Sequence, residues 1–514
     1  MKFTELHDYR LPGGEVTAWI PESEQPTERW PVDARGITYE HEDHLHRAVA
    51  AARKDMRQTS WLGAVFRVDR ALDPAAMRRT LQQWIRRHEA FRTTVTRELP
   101  ARDRDVPDAG DSPQFARRSC DPLSVSIGRV DLGPFGSDRI REHLVEFFDS
   151  RLTPLAWPHC LMATVTDAEG SEDHAARSDG FHLVFAADHS IMDAYSMLLS
   201  INELRLIYDS ETLGVSPPLP EVGSHVDFSA HNRVSAADLA ADHPDVRRWR
   251  EFLDDASGFP RFGLAPVESH SPGERDVVSQ APAQDGWAKH VATDEQVTAL
   301  NRLSRSTGHS TQTAIVAALA LAYQDLTGEN RLRAAMPMHT RHDRQFVESV
   351  GWFVGLGPLE VDLTHAETVV DALNAAAGGI RESKRLSRLP FPRVAQLLDT
   401  DAVPQFVISY LDLRAVPGAE DWPEWEARTL RGAARSDSEV YIWIARTPTG
   451  ITVSSRYPAN DVIAAQVRRL VTTACSIATA VLEDASASDA DAHPRTTHDF
   501  DSGTSAGHEE RRLA

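Results

Sequence analysis

The stretch "FHLVFAADHSIMDAYSM", Phe181 to Met197, changes character midway. An apolar run stops at two polar residues, Asp188 and His189, and Asp193 follows before an amphipathic segment begins. The first half reads as a strand and the segment from Ala194 to Ser210 as a helix. The pattern therefore places an imidazole where a strand breaks, and strand-to-helix junctions are where an α/β scaffold presents functional side chains. Such an imidazole can take a proton from a hydroxyl or amine near neutral pH. Asp193 could orient the ring, or tie the loop down by pairing with an arginine elsewhere. The bare H-x-x-x-D spacing is also compatible with two zinc ligands or with simple capping, but no third metal ligand is evident nearby.

The rest of the chain sets limits on the function. Its 514 residues exceed one ordinary core, so two or three lobes are expected. A formal net charge of −21 argues against nucleic acid or an anionic membrane surface as the main partner. Cys120, Cys160 and Cys475 are far apart and odd in number, so neither a disulfide framework nor a C-x-x-C metal site follows. The opening "MKFTELHDYRLPGGEVTAW" has no apolar secretory core, and no apolar run is long enough for a transmembrane segment. A reduced, cytoplasmic protein is the simplest expectation.

Helices and strands alternate through both halves, which predicts an α/β protein of two similar lobes. Residues 1–40 read as extended and irregular, and 42–58 as a helix. "TSWLGAVFRVD" reads as a strand; Asp73 and Pro74 open a helix with Met77, Leu81, Trp84 and Ile85 on one face. Residues 98–119 read as a surface loop. The Pro/Gly-rich stretch "ETLGVSPPLPEVGSHVDF" marks a boundary between an N-terminal lobe, 1–215, and a C-terminal lobe, 216–484. Residues 485–514 read as a disordered tail.

Several segments in order resemble one family. "WIRRHEAFRTTV" (84–95) is similar to an Arg-His-Glu-x-Leu-Arg-Thr segment of the condensation-domain superfamily of CoA-dependent acyltransferases. "FAADHSIMDAYSM" resembles its HHxxxDG motif, and "VESVGWFVGLGPLEVDL" (347–363) its Gly-Phe strand. "LHDYRLPGGEVTAW", "DVRRWREFLDDASGFPRF" and "FVISYLDLR" look like the actinobacterial polyketide-associated (Pap) acyltransferases. The resemblance covers roughly residues 5–480. Within the motif this chain departs twice: Asp188 stands in place of the first histidine and Ala194 in place of the glycine.

The resemblance implies two chloramphenicol-acetyltransferase-like lobes forming a V-shaped pseudo-dimer with a tunnel between them. It implies an acyltransferase moving an acyl group from acyl-CoA or an acyl carrier protein to a hydroxyl acceptor, a small molecule or glycolipid, in lipid or natural-product biosynthesis. No cofactor or metal is implied, the acyl thioester being a substrate, and a monomer is expected. His189 would be the general base, and Asp193 would pair with Arg92 to hold the His189 loop. Asp188, Ala194, Tyr195, Ser409 and Tyr410 would line the tunnel, Asp188 chiefly as a cap of the turn. Trp352 and Phe353 read as core residues on a strand, and His88 as a helix-end group. An amide-forming condensation enzyme of nonribosomal peptide synthesis is the alternative, as is a silent domain that binds a carrier protein.

Overall fold

The structure is a computed structural model and describes residues 3–6, 9–54, 59–98, 114–167, 180–263 and 281–492. It has the expected two-lobed α/β architecture, built on two large sheets. The first has seven strands in the order Phe3–Glu5, Arg428–Arg431, Trp61–Val68, Phe181–Asp188, Cys160–Asp167, Gly14–Ser23, Val125–Phe135. The second has six, in the order Val354–Asp362, Arg331–His339, Phe406–Asp412, Val440–Thr447, Gly450–Pro458, Gln284–Thr293.

The apolar run Leu183 to Ala187 before Asp188 has a direct cause. The Phe181–Asp188 strand is central, hydrogen-bonded to Trp61–Val68 on one side and Cys160–Asp167 on the other. Both of its faces are covered: Phe181, Leu183, Phe185 and Ala187 enter one core, while Val184 and Ala186 enter another. A strand buried on both faces has no polar side to alternate with. The helix Ala194–Leu213 packs into the first of these cores through Met197, Leu198, Ile201, Leu204 and Ile207. It ends at Gly214, whose φ of 68° is the left-handed conformation glycine adopts without a Cβ clash. In the second lobe the helices Thr311–Thr327, Val369–Leu386 and Asp461–Ala492 cover one sheet face, and Pro244–Asp254 and Phe391–Leu398 the other.

Side-chain caps and a glycine stop define several helix ends. Asp73 caps Pro74–Arg87 through the N–H groups of Ala75 and Ala76, and Ser310 and Gly328 bound Thr311–Thr327. Other expectations need correction. The N-terminal region is not wholly irregular, because Gly14–Ser23 is a strand inside the first sheet. Its Pro21 lies beyond the stretch paired with Cys160–Asp167, so the missing N–H costs no ladder bond there. The expected loop 98–119 contains the strand Gln114–Ser119, paired with Thr93–Glu98; residues 99–113 lie outside the described residues. The helix expected over 42–58 spans Tyr39–Arg53, and 55–58 lie outside.

The stretch taken as a lobe boundary is shared between a helix ending at Leu213 and another starting at His225. Arg428–Arg431, from the later half of the chain, joins the first sheet beside Trp61–Val68. The last helix runs to Ala492, past the expected start of the tail, and 493–514 lie outside the described residues.

Candidate active site

The strand Phe181–Asp188 ends where two main-chain bonds hold the break. Asp188 N donates to His159 O and His189 N donates to Ser60 O. Asp188 then caps the turn as expected, its Oδ1 accepting from Ser190 N at 2.8 Å. The same carboxylate, 1% exposed, accepts from Ser60 Oγ at 2.5 Å and lies 3.3 Å from His44 Nε2. Burial pushes the Asp188 carboxyl up, but these partners outweigh it and hold it well below the usual carboxylate range. It is therefore an enclosed anchor and not an open wall.

His189 projects from this turn, partly buried, with its ring against the indole of Trp352 at 4.4 Å between centroids. Its Nδ1 is enclosed without a hydrogen-bond partner in another residue, which leaves Nε2 as the open nitrogen. Burial, then the charge of His44, lowers its proton affinity, while its own backbone, Asp188 and Asp193 oppose them. The net direction is down, so the ring is neutral at neutral pH, the form a general base requires.

Asp193 has two jobs. It is the N-cap of Ala194–Leu213, accepting from Ser196 N at 2.7 Å. It also faces the second half of the chain, where Phe353 N donates to Oδ2 at 2.9 Å and Asp193 N donates to Gly351 O at 3.0 Å. Its ionic partner is Arg341: Nη2 reaches Oδ1 at 3.0 Å and Oδ2 at 2.9 Å. Burial raises the Asp193 carboxyl, and Arg341 with the Ser196 and Phe353 donors brings it below the usual range.

The expected Asp193–Arg92 pair is thus corrected. Arg92 does not point to solvent either; it is 8% exposed and its Nη1 donates to Cys120 O at 2.9 Å. The main chain fixes it there, because Cys120 N also donates to Arg92 O.

Arg341 ties the segment 341–353 together. Its Nη1 donates to Phe346 O and Ser349 O, and its guanidinium lies over the rings of Phe353 at 4.1 Å and Tyr195 at 5.3 Å. Ser196 Oγ accepts from Arg341 and from Gly351 N and donates to Gly351 O. This network brings Trp352 onto His189. Phe353 is fully buried as expected, but Trp352 is partly exposed and belongs to the site, and both residues precede the strand that starts at Val354. His88 also reaches the segment as a helix-end group: it is the C-cap of Pro74–Arg87, accepts from Val350 N and pairs with Glu203 at 2.7 Å.

The remaining candidates separate. Ala194 and Tyr195 begin the helix after the motif and are partly buried. Ser409 and Tyr410 lie on one strand and point to opposite faces. Ser409 sits opposite Trp443, between Leu411 and Val407, on the face whose Leu411 and Trp443 pack against the first lobe's core. Tyr410 packs into the second lobe's own core and is dropped as a lining residue. Sequence reasoning missed His44, Ser60, Arg341 and the role of Trp352. It also missed Glu40, whose carboxyl desolvation lifts to about 7 in a small cavity shared with Trp352 and Thr340. A cavity of about 710 Å³ beside Leu253, Phe259 and Leu398 shares no residue with this site.

No cysteine is placed as a nucleophile. Burial raises the thiols of Cys160 and Cys475 and pushes Cys120 up to about 11. Among the described residues no group of three or more His, Cys, Asp or Glu side chains could hold a metal ion, and no helix is long and apolar enough to cross a membrane.

Comparison with known proteins bears on likeness and fold. Residues 174–421 match the Condensation domain family model. Acyltransferase PapA3 of Mycobacterium tuberculosis is 23% identical over 488 residues, covering 93% of this chain and 96% of that protein. Trehalose-2-sulfate acyltransferase PapA2 of Mycobacterium bovis is 21% identical over 487 residues, covering 92% and 96%. A solved structure of PapA2 acyl transferase superposes with a TM-score of 0.77 at 20% identity, covering 94% of this chain and 100% of that one. The chain thus carries a Condensation domain match over residues 174–421 and is similar over nearly its whole length to Pap acyltransferases.

Proposed function

We propose that this protein transfers an acyl group from an acyl thioester to a hydroxyl of a sugar-type acceptor in lipid assembly, with His189 as the general base. The observation that carries the reading is the His189 ring: one nitrogen enclosed, the other open, and a proton affinity held low by its surroundings. Nε2 takes the hydroxyl proton as the oxygen attacks the thioester carbonyl. The tetrahedral intermediate then collapses, the C–S bond breaks, and the proton passes to the departing thiolate. No covalent acyl-enzyme is needed, because a thiolate leaves readily and the protein's own thiols are disfavoured as nucleophiles. The acceptor class follows the relative named for trehalose-2-sulfate. The donor is acyl-CoA or an acyl carrier protein, the two having the phosphopantetheine thioester in common.

The test is product detection by mass spectrometry. Purified protein is incubated with acyl-CoAs of several lengths, or with acyl carrier protein, and with trehalose, trehalose-2-sulfate and long-chain alcohols. Ester formed by wild type and absent with His189→Ala supports the proposal. Equal ester from both proteins contradicts it.

A further inference from the structure

We propose that His44 is a positioning residue of this site, paired with Asp188 and packed together with His189 on the indole of Trp352. The proposal rests on the reading of His189 as the base and extends it to a residue outside the motif. A set of contacts carries it. His44 Nε2 lies 3.3 Å from Asp188 Oδ1, on the residue directly preceding His189. The His44 ring meets Trp352 edge-on at 5.6 Å between centroids, the same indole that His189 meets at 4.4 Å. Ser60 Oγ and Ser190 N complete the Asp188 shell, so the carboxylate is held in one place.

The pairing also accounts for the departure in the motif. A carboxylate stands where an imidazole is expected, and an imidazole reaches it from the helix Tyr39–Arg53. A carboxylate buried there needs polar partners, and His44 Nε2 joins Ser60 Oγ and Ser190 N in that shell.

The two members act on His189 in opposite directions. His44 disfavours the protonated ring of His189 and Asp188 favours it, with Asp193 adding to Asp188. His41 on the same helix and His159 beside the neighbouring strand also feel His44, and His159 feels Asp188. With both members present their effects on His189 offset. Removing one exposes the other.

That asymmetry supplies a test that loss of packing alone would not pass. The acid limb of kcat/KM is measured for wild type, His44→Gln, Asp188→Asn and the double variant. His44→Gln leaves the carboxylate and moves the limb to higher pH. Asp188→Asn leaves the imidazole and moves it to lower pH, and the double variant returns towards wild type. Titration of 13Cε1-histidine-labelled protein, with His189→Ala identifying the resonance, reads the same shifts without substrate. It therefore stands even if no acyl transfer is found, and a failure of the transfer reading is separate from a failure here. Shifts of both single variants in one direction, or an unmoved His189 in folded His44→Gln, overturn the proposal.

Discussion

Replacing Arg341 by methionine should be far more damaging than its position in a loop suggests, and the damage should depend on Asp193. Both side chains are buried, at 4% and 1% exposure. The substitution keeps the apolar stem but removes the bonds to Asp193, Ser196 Oγ, Phe346 O and Ser349 O. Removing one partner of a buried pair costs about 3–5 kcal/mol. Asp193 retains the Ser196 and Phe353 N–H groups, which puts the expected loss near the lower end, about 3 kcal/mol, or more than about a hundredfold in the folding equilibrium. Asp193→Asn in the same protein removes the stranded charge, so the two losses should fail to add by about 2 kcal/mol. Arg92→Met, which loses only its bond to Cys120 O, should add to Asp193→Asn within about 0.5 kcal/mol. Urea unfolding followed in parallel by tryptophan fluorescence and circular dichroism measures both cycles and checks that the transitions coincide. Additivity for Arg341 with Asp193, or strong coupling for Arg92 with Asp193, would refute the assignment of the strut.

Acid should destabilise the fold through neutral buried histidines. His41, His159 and His189 are lowered and His225 is lowered to about 3, in each case mainly by burial. A histidine whose folded value lies below its unfolded one binds its proton first in the unfolded chain. Its contribution is intact above about pH 6.5 and is lost as pH falls towards the folded value, at up to about 1.4 kcal/mol per pH unit for each ring. Urea midpoints should drop between pH 7 and 5, with a shallower slope in His225→Gln; a flat profile rules this out. The pair Asp193–Arg341 works in the other range, stabilising above the ordinary aspartate value and failing only as pH falls through the lowered one. Gly357→Ala should lower stability by about 1–3 kcal/mol through overpacking, since its Cβ would lie 2.2 Å from Ser383 O. Gly136→Ala, with nothing within 4 Å, is the control, and equal melting temperatures for the two would contradict the contact. Trp352→Ala should reduce acyl transfer more than it reduces stability, because Trp352 is partly exposed and contacts His189. A loss of stability with unchanged turnover would count against its place in the site.

The motif residues and the capped helices were readable in the sequence because their physics is local. His189 and Asp193 sit within one strand–turn–helix unit, and Asp73 announces a helix start through its own side chain. Arg341 was not readable: it meets Asp193 across 148 positions, and "MHTRHDR" offers several basic residues with nothing local to choose among them. Arg92 was chosen by likeness, while its main-chain pairing with Cys120 turns it elsewhere. Gly14–Ser23 was hidden by Pro21 and by polar residues, and Arg428–Arg431 is too short to carry a pattern. His44 lies on a helix that was anticipated, but its meeting with Asp188 is a tertiary fact.

The central claim is that His189 Nε2 removes the acceptor proton. The most direct measurement is kcat/KM for acyl transfer by wild type and His189→Ala, with the variant's fold checked by circular dichroism. A folded variant slowed by about 10²–10⁴-fold is the predicted result. A folded variant that transfers acyl groups at the wild-type rate would contradict the account.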